Sequence, residues 1–315
     1  MFRPNMITKE TLSAIADAVV EAIRKIPDSK CRGERVCMGA DGTPSSQIDK
    51  VAENAALMYI DLHNLPLNVL SEEIGYVDNG AEETLVMDPI DGTSNAIASV
   101  PYYTVSLAVG TSRLSDIRLG YLRNPATGDE IWAEKGVGAF KNGHRIFVRK
   151  PDMDDLFMMI YMGNGAHQDA FKLTKEVKSS RSYGCASLEM EIVAEGEADG
   201  YFMKAERYTR SVRIVDIAAS TLILREAGGE VYDLDGKVLD MPFDLDHRSN
   251  FLAVGSQQVF DFVMHKDKAL KHRYGIYTNT SVNNAVEYTS QVIEALKGET
   301  FLVDKDIADV MGIPG

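Results

Sequence analysis

The sequence predicts a mixed α/β protein, α+β in its first half and α/β in its second, on three observations. Two long amphipathic helical patterns open the chain, and a run of short strands separated by turn residues follows them. From about residue 156 strands and helices alternate. The 315 residues, 45% hydrophobic and 25% charged, are also enough to bury a large core in one domain or two closely packed ones.

Residues 8–26 form the first helix, because Leu12, Ile15, Ala16, Val19, Ile23 and Ile26 recur at three and four residues, and Pro27 stops it. A polar turn, MGADGTPSS, leads to a second helix over about 45–60 with Ile48, Val51, Ala52 and Ala55 on one face. LNVLSEE (67–73) and LVMD (85–88) are strands that end on acids. TVSLAVG, IRLGYL and EIWAEK read as further strands, and KNGH (141–144) as a hairpin turn. In the second half FMMIYMG is a strand, 167–178 a helix, SLEMEIVAEG a helix and ADGYF a strand. DIAASTLILREAGG is a helix with a glycine stop, EVYDL and FLAVG are strands, and 257–270 is a helix. YGIYTN, a helix near 282–296 and FLVD (301–304) then add a βαβ-like unit to a fold that is already complete. The expected divisions are 1–150, 151–270 and an appendage over 271–315.

Bulk properties exclude several classes. A formal net charge of −14 argues against a nucleic-acid surface, which needs clustered Lys and Arg. No apolar run approaches a membrane span, and charges through the first thirty residues leave no signal-peptide core. Cys31, Cys37 and Cys185 lack metal-site spacing and read as reduced thiols, which places the protein in the cytoplasm.

The acids carry the chemistry. Glu72 and Glu73 end one strand, Asp88 and Asp91 another; Asp216 opens a helix, and Asp49 lies just off the apolar face of the second helix. Alone, a DxxD pair is ordinarily a solvated turn and Asp216 an N-cap. Read together, acids at strand ends and a helix start converge across a sheet edge, and such a cluster stays ionised only around cations. Hard oxygen donors select Mg²⁺, Mn²⁺ or Ca²⁺. Gly92, Thr93 and Ser94 directly behind Asp91 add backbone amides able to seat a phosphate. A haloacid-dehalogenase nucleophile would need an acid two residues before Asp91, where Pro89 stands, so a covalent aspartyl-phosphate route is disfavoured.

These motifs resemble the inositol monophosphatase and fructose-1,6-bisphosphatase superfamily in its archaeal form. DPIDGTSN (88–95) resembles its first signature and VRIVDIAASTLILREAGGEV (212–231) its second. SEE (71–73), GADGTPSSQIDKVAE (39–53) and GCASLEMEIVAEGEADGYF (184–202) resemble further family segments, and the likeness runs in order over about residues 7–265. The resemblance implies a layered αβαβα sandwich, usually dimeric. It implies that Glu72, Asp88, Asp91, Asp216 and the Ile90 carbonyl hold two or three Mg²⁺ ions, with Mn²⁺ an alternative. Asp49 and Thr93 would orient and deprotonate the attacking water, and the amides of Gly92, Thr93 and Ser94 would hold the phosphate.

Two positions depart from the family pattern. Val215 stands where many members carry Trp before the second-signature Asp, and the Glu that recognises inositol in animal members has no clear counterpart. Arg207, Tyr208, Arg210 and Arg213 occupy that region and would suit a substrate with a second phosphate, such as fructose 1,6-bisphosphate or a dinucleotide, unless they pair with neighbouring acids. RYGIYTNTSVNNAVEYTSQVIEALKGETFLVD (273–304) is similar to the start of NAD kinases, which some archaeal proteins fuse to this phosphatase. The kinase GGDGT motif is absent, so any kinase half is expected to be truncated or vestigial; a dimer or docking element is the other reading of this tail. The expected activity is a Mg²⁺-dependent phosphomonoesterase acting on fructose 1,6-bisphosphate and/or inositol 1-phosphate. An NADP 2′-phosphatase and a non-catalytic phosphate or nucleotide sensor are the alternatives.

Overall fold

A computed structural model describes residues 6–40, 42, 44–264, 274–276, 284–295, 301–303 and 305–312. The chain divides into two compact units, Met1–Val259 and Phe260–Gly315.

In the first unit, Lys9–Arg24 (α1) buries Leu12, Ile15, Ala16, Val19 and Ile23, the apolar stripe its periodicity predicts. Ser29–Arg32 (α2) and an antiparallel hairpin of Arg35–Met38 (β1) with Pro44–Ser46 (β2) follow, where the sequence reads only a polar turn. All four β1 residues are exposed, so no alternating apolar pattern announces the strand. Gln47–Leu62 (α3) packs beside α1.

The strands Leu67–Ser71 (β3), Gly75–Val77 (β4), Glu83–Asp91 (β5), Thr104–Gly110 (β6), Leu119–Arg123 (β7), Glu130–Glu134 (β8), Gly138–Lys141 (β9) and His144–Ile146 (β10) build one sheet. Their order is β10-β9-β8-β7-β6-β5-β3-β4, antiparallel except for the β3–β5 pair. Asn142 and Gly143, both at positive φ (50° and 80°), make the predicted β9–β10 turn. Thr93–Ala98 (α4) leads from β5 towards β6.

The second sheet combines Phe157–Ile160 (β11), Ser179–Arg181 (β12), Gly200–Met203 (β13), Glu230–Asp233 (β14) and Phe251–Val254 (β15) in the order β12-β11-β13-β15-β14. β11, β12 and β13 run parallel, joined through Gln168–Thr174 (α5) and Ala186–Ala194 (α6). The two crossovers step in opposite directions across the sheet, so right-handed connection puts their helices on opposite faces. Ile214–Glu226 (α7) packs against both sheets and against α6. It is buried almost all round, because it is the filling of a sandwich. The layers therefore run α1 and α3, large sheet, α6 and α7, small sheet, α5: the expected αβαβα sandwich. One core lies between α1, α3 and the large sheet, and a second surrounds α6 and α7.

At Gly120 of β7 the backbone of α7 comes close to the large sheet: a Cβ there would sit 2.8 Å from the Ala219 carbonyl oxygen. Gly120→Ala is expected to destabilise the fold by about 1–3 kcal/mol, since neither backbone can yield cheaply. Thermal unfolding checks this, and an unchanged Tm would contradict it.

The predicted 257–270 helix is seen as Gln257–Met264 (α8), which crosses the division between units; residues 265–270 lie outside the described residues. In the second unit Tyr274–Ile276 (β16) and Phe301–Val303 (β17) pair in parallel, with Ala285–Ala295 (α9) between them in sequence and Lys305–Met311 (α10) after. Val303 and Ala308 are the buried residues of its small core. Among the described residues no helix is long and apolar enough to cross a membrane, and Cys31, Cys37 and Cys185 are unpaired.

Candidate active site

β5 is interior to the large sheet, paired with β3 on one side and β6 on the other, and its C-terminal end carries Asp88 and Asp91. Residues three apart on a regular strand face opposite ways. Here the register with β6 shifts: Asp88 lies opposite Ser106 and Asp91 opposite Thr104, so three steps on β5 match two on β6. This bulge contains Pro89, which has no N–H to lose from the ladder. It returns both aspartates to one side.

Two other acids are placed by helix starts. Asp49 is the third residue of α3, and its Oδ2 accepts the Ser46 amide at 3.2 Å and the Ser46 hydroxyl at 2.7 Å. Asp216 is the third residue of α7, and its Oδ2 accepts the Arg213 amide at 2.7 Å. Each cap stabilises its helix and locks the acid's rotamer. Glu72 stands in the tight connection between β3 and β4. Fully buried Glu53 of α3 fastens that connection, accepting the Ser71 hydroxyl at 2.7 Å, the Ile74 amide at 3.1 Å and the Lys50 ammonium at 3.0 Å.

These supports bring two groups together. Glu72, Asp88 and Asp216 each offer a carboxylate oxygen, all within 4.8 Å of one another. Thr93 Oγ1 lies 2.9 Å from Asp49 Oδ1 and 3.1 Å from the Ile90 carbonyl oxygen; its single proton is donated to one of them at a time. The Ile90 amide donates to Asp88 Oδ1 at 3.0 Å, which ties the Asp49–Thr93 pair to the acid cluster through one residue. Asp91 lies outside the set of three. Its Oδ2 is held at the start of α6 by the Ser187 amide at 2.6 Å and the Cys185 thiol at 3.3 Å.

Arg213 joins the acids rather than the solvent. Its Nη2 pairs with Glu72 Oε2 at 2.9 Å and with Asp216 Oδ1 at 3.0 Å, and the residue is buried. Tyr208 donates its hydroxyl to the Asp246 carbonyl at 3.0 Å and accepts the Arg248 amide at 2.9 Å, while Arg207 and Arg210 are exposed beside it. Ser94 is exposed at the start of α4 and Gly92 half-buried, with φ +89°.

The electrostatics call for more positive charge than the described residues supply. Burial drives the Asp88 carboxyl well above its ordinary range; Glu72, Asp91 and Asp216 push it further, and Arg213 opposes them. Burial likewise raises Asp91 to about 6 against the pull of the Ser187 amide, and lifts Asp49 against its Ser46 and Thr93 bonds. Among the described residues, the three clustered carboxylates of Glu72, Asp88 and Asp216 face one guanidinium, that of Arg213. The donors are all oxygen, and their spacing approaches the roughly 4.2 Å spanned by two oxygens on opposite sides of one ion at about 2.1 Å each. Residues of this kind fit Mg²⁺ or Mn²⁺.

Sequence reasoning missed Glu53, Ser187 and the thiol contact of Cys185. A glutamate four residues after Asp49 among small apolar neighbours was the available signal for Glu53; nothing local marks Ser187 as a partner for a residue 96 positions away.

A profile of the inositol monophosphatase family matches residues 8–270. The fructose-1,6-bisphosphatase/inositol-1-monophosphatase of Methanothermobacter thermautotrophicus is 34% identical over 265 residues, 79% of this chain and 92% of that protein. The bifunctional NADP phosphatase/NAD kinase of Methanococcus maripaludis is 27% identical over 93% of this chain but only 55% of its own length. A solved inositol monophosphatase–fructose 1,6-bisphosphatase superposes with a TM-score of 0.73 at 30% identity, covering 82% of this chain and 99% of the other.

Proposed function

Because the chain belongs to the inositol monophosphatase family and is a phosphoric monoester hydrolase of that family, we propose that it hydrolyses fructose 1,6-bisphosphate and/or inositol 1-phosphate in a Mg²⁺-dependent reaction. The observation that carries this reading is the Asp49–Thr93 pair joined through Ile90 to the cluster of Glu72, Asp88 and Asp216. The name of the Methanothermobacter relative supplies the two substrates.

Glu72, Asp88, Asp91, Asp216 and the Ile90 carbonyl would hold Mg²⁺, which when bound supplies Lewis-acid charge to the attacking water and the leaving oxygen. Thr93, donating its own proton to Asp49 Oδ1, keeps lone pairs for a proton of the water. Asp49 then takes the Thr93 proton, held in register by its bonds to Ser46. The amides of Gly92, Thr93 and Ser94, at the start of α4, would donate to the phosphate oxygens.

A second reading, NADP 2′-phosphatase, is favoured by one observation: the Methanococcus relative aligns over 93% of this chain, further than the 79% of the Methanothermobacter one. Phosphate release from fructose 1,6-bisphosphate, inositol 1-phosphate and NADP at equal concentration tests both, with Mg²⁺ and again with EDTA. Fructose 1,6-bisphosphate or inositol 1-phosphate is expected to react fastest, and EDTA to stop release. Fastest turnover of NADP would install the second reading. Release that survives EDTA would remove the metal from the reaction, and binding without any release would make the protein a sensor.

A further inference from the structure

We propose that Arg213 is a resident counter-cation of the carboxylate cluster, so that a divalent ion enters this site by exchange with a guanidinium. The inference rests on the metal-dependent reading of the site. Arg213 Nη2 spans two of the three clustered acids, at 2.9 Å from Glu72 Oε2 and 3.0 Å from Asp216 Oδ1. The charged groups around it come from three elements: Glu72 from the β3–β4 connection, Asp88 from β5, and Asp216 from α7. With its residue 8% exposed, the guanidinium is held among these acids with little water to screen it.

Such a placement has two opposite consequences. Without metal, Arg213 offsets part of the repulsion among the three clustered acids and holds Glu72 against the start of α7. With metal, the same charge is a like-charge neighbour, and its pairs with Glu72 and Asp216 must be given up or stretched before those oxygens can turn to the ion. The backbone geometry fixes where this happens. Arg213 is the N-cap residue of α7 and its amide is bonded to Asp216, so its Cα stays put while only the side chain exchanges.

The test is calorimetric titration of Mn²⁺ into metal-stripped full chain, comparing wild type with Arg213→Gln and Arg213→Lys and following thermal unfolding in EDTA. Arg213→Gln is expected to bind Mn²⁺ about tenfold more tightly, or to bind one more ion, because no fixed cation opposes entry. Its Tm in EDTA is expected to fall and its rise on adding Mn²⁺ to exceed that of wild type. Arg213→Lys, which keeps the charge, is expected to stay near wild type in affinity. Equal or weaker Mn²⁺ binding by a folded Arg213→Gln would overturn the proposal while leaving the metal reading intact. A wild type that binds no Mn²⁺ would overturn both.

If Arg213→Gln fails to fold, wild type itself decides. With ¹⁵N-arginine labelling, the Arg213 Nε–H resonance, assigned through Arg213→Lys, is expected to shift on Mg²⁺ addition. An unmoved resonance at saturating Mg²⁺ would overturn the exchange.

Discussion

Thr93→Val should lower kcat for phosphate release by about 10²–10⁴-fold, the range expected when a positioned proton acceptor is removed. Valine nearly matches threonine in shape, so the loss is chemical. It deletes the oxygen that lies 2.9 Å from Asp49 Oδ1 and 3.1 Å from the Ile90 carbonyl. Asp49→Asn should fall by a similar factor, because an amide cannot take the Thr93 proton, although its carbonyl oxygen can still cap α3 through Ser46. The double variant should be scarcely worse than either single one, since the two groups act as a unit. Thr93→Ser, which keeps the hydroxyl, should recover most of the rate. Steady-state phosphate release with Mg²⁺ measures all four. A Thr93→Val enzyme within tenfold of wild type would remove this pair from the reaction.

The parts legible in the sequence are those with strong periodicity or a long apolar run. α1, α3 and β6 appear where their patterns place them, and β6 covers TVSLAVG residue for residue. The acids of the cluster were legible as strand ends and helix starts. What was not legible depends on tertiary geometry. The three-residue spacing of Asp88 and Asp91 puts them on opposite faces of a regular strand, and only the register shift with β6 reverses that. The β1–β2 hairpin is exposed and so carries no alternating signal. Arg213 could be read from sequence as a partner for substrate phosphate or for neighbouring acids, and the structure pairs it with Glu72 and Asp216. Glu53 and Ser187 act by holding other residues, and a supporting role leaves no motif of its own.

Gly92→Ala separates the architecture of the loop from mere packing, because its effect should exceed what lost stability explains. Gly92 has φ +89°, where an L side chain costs roughly 1–2 kcal/mol. An added Cβ would also meet the Cys185 Cβ at 3.1 Å, the Tyr102 carbonyl at 3.2 Å and the Tyr103 Cβ at 3.2 Å. Relieving those contacts adds about 1–3 kcal/mol and moves Cys185, whose thiol and neighbouring Ser187 amide hold Asp91. At about 2–4 °C per kcal/mol for a unit of this size, Tm should fall by several degrees. Thr93 is the next residue, so the same displacement spreads the Thr93–Asp49 contact, and a shift near 1 Å is enough to cost about 10²-fold in rate. Gly229→Ala is the control: its Cβ would lie 2.6 Å from the Val254 carbonyl oxygen, beyond the end of α7 opposite to Asp216, and it should lose stability with little change in kcat well below its Tm. The discriminating quantity is kcat per folded molecule in the two variants. Equal values would mean that the left-handed turn at Gly92 serves packing alone, and that the amides behind Asp91 do not seat the phosphate.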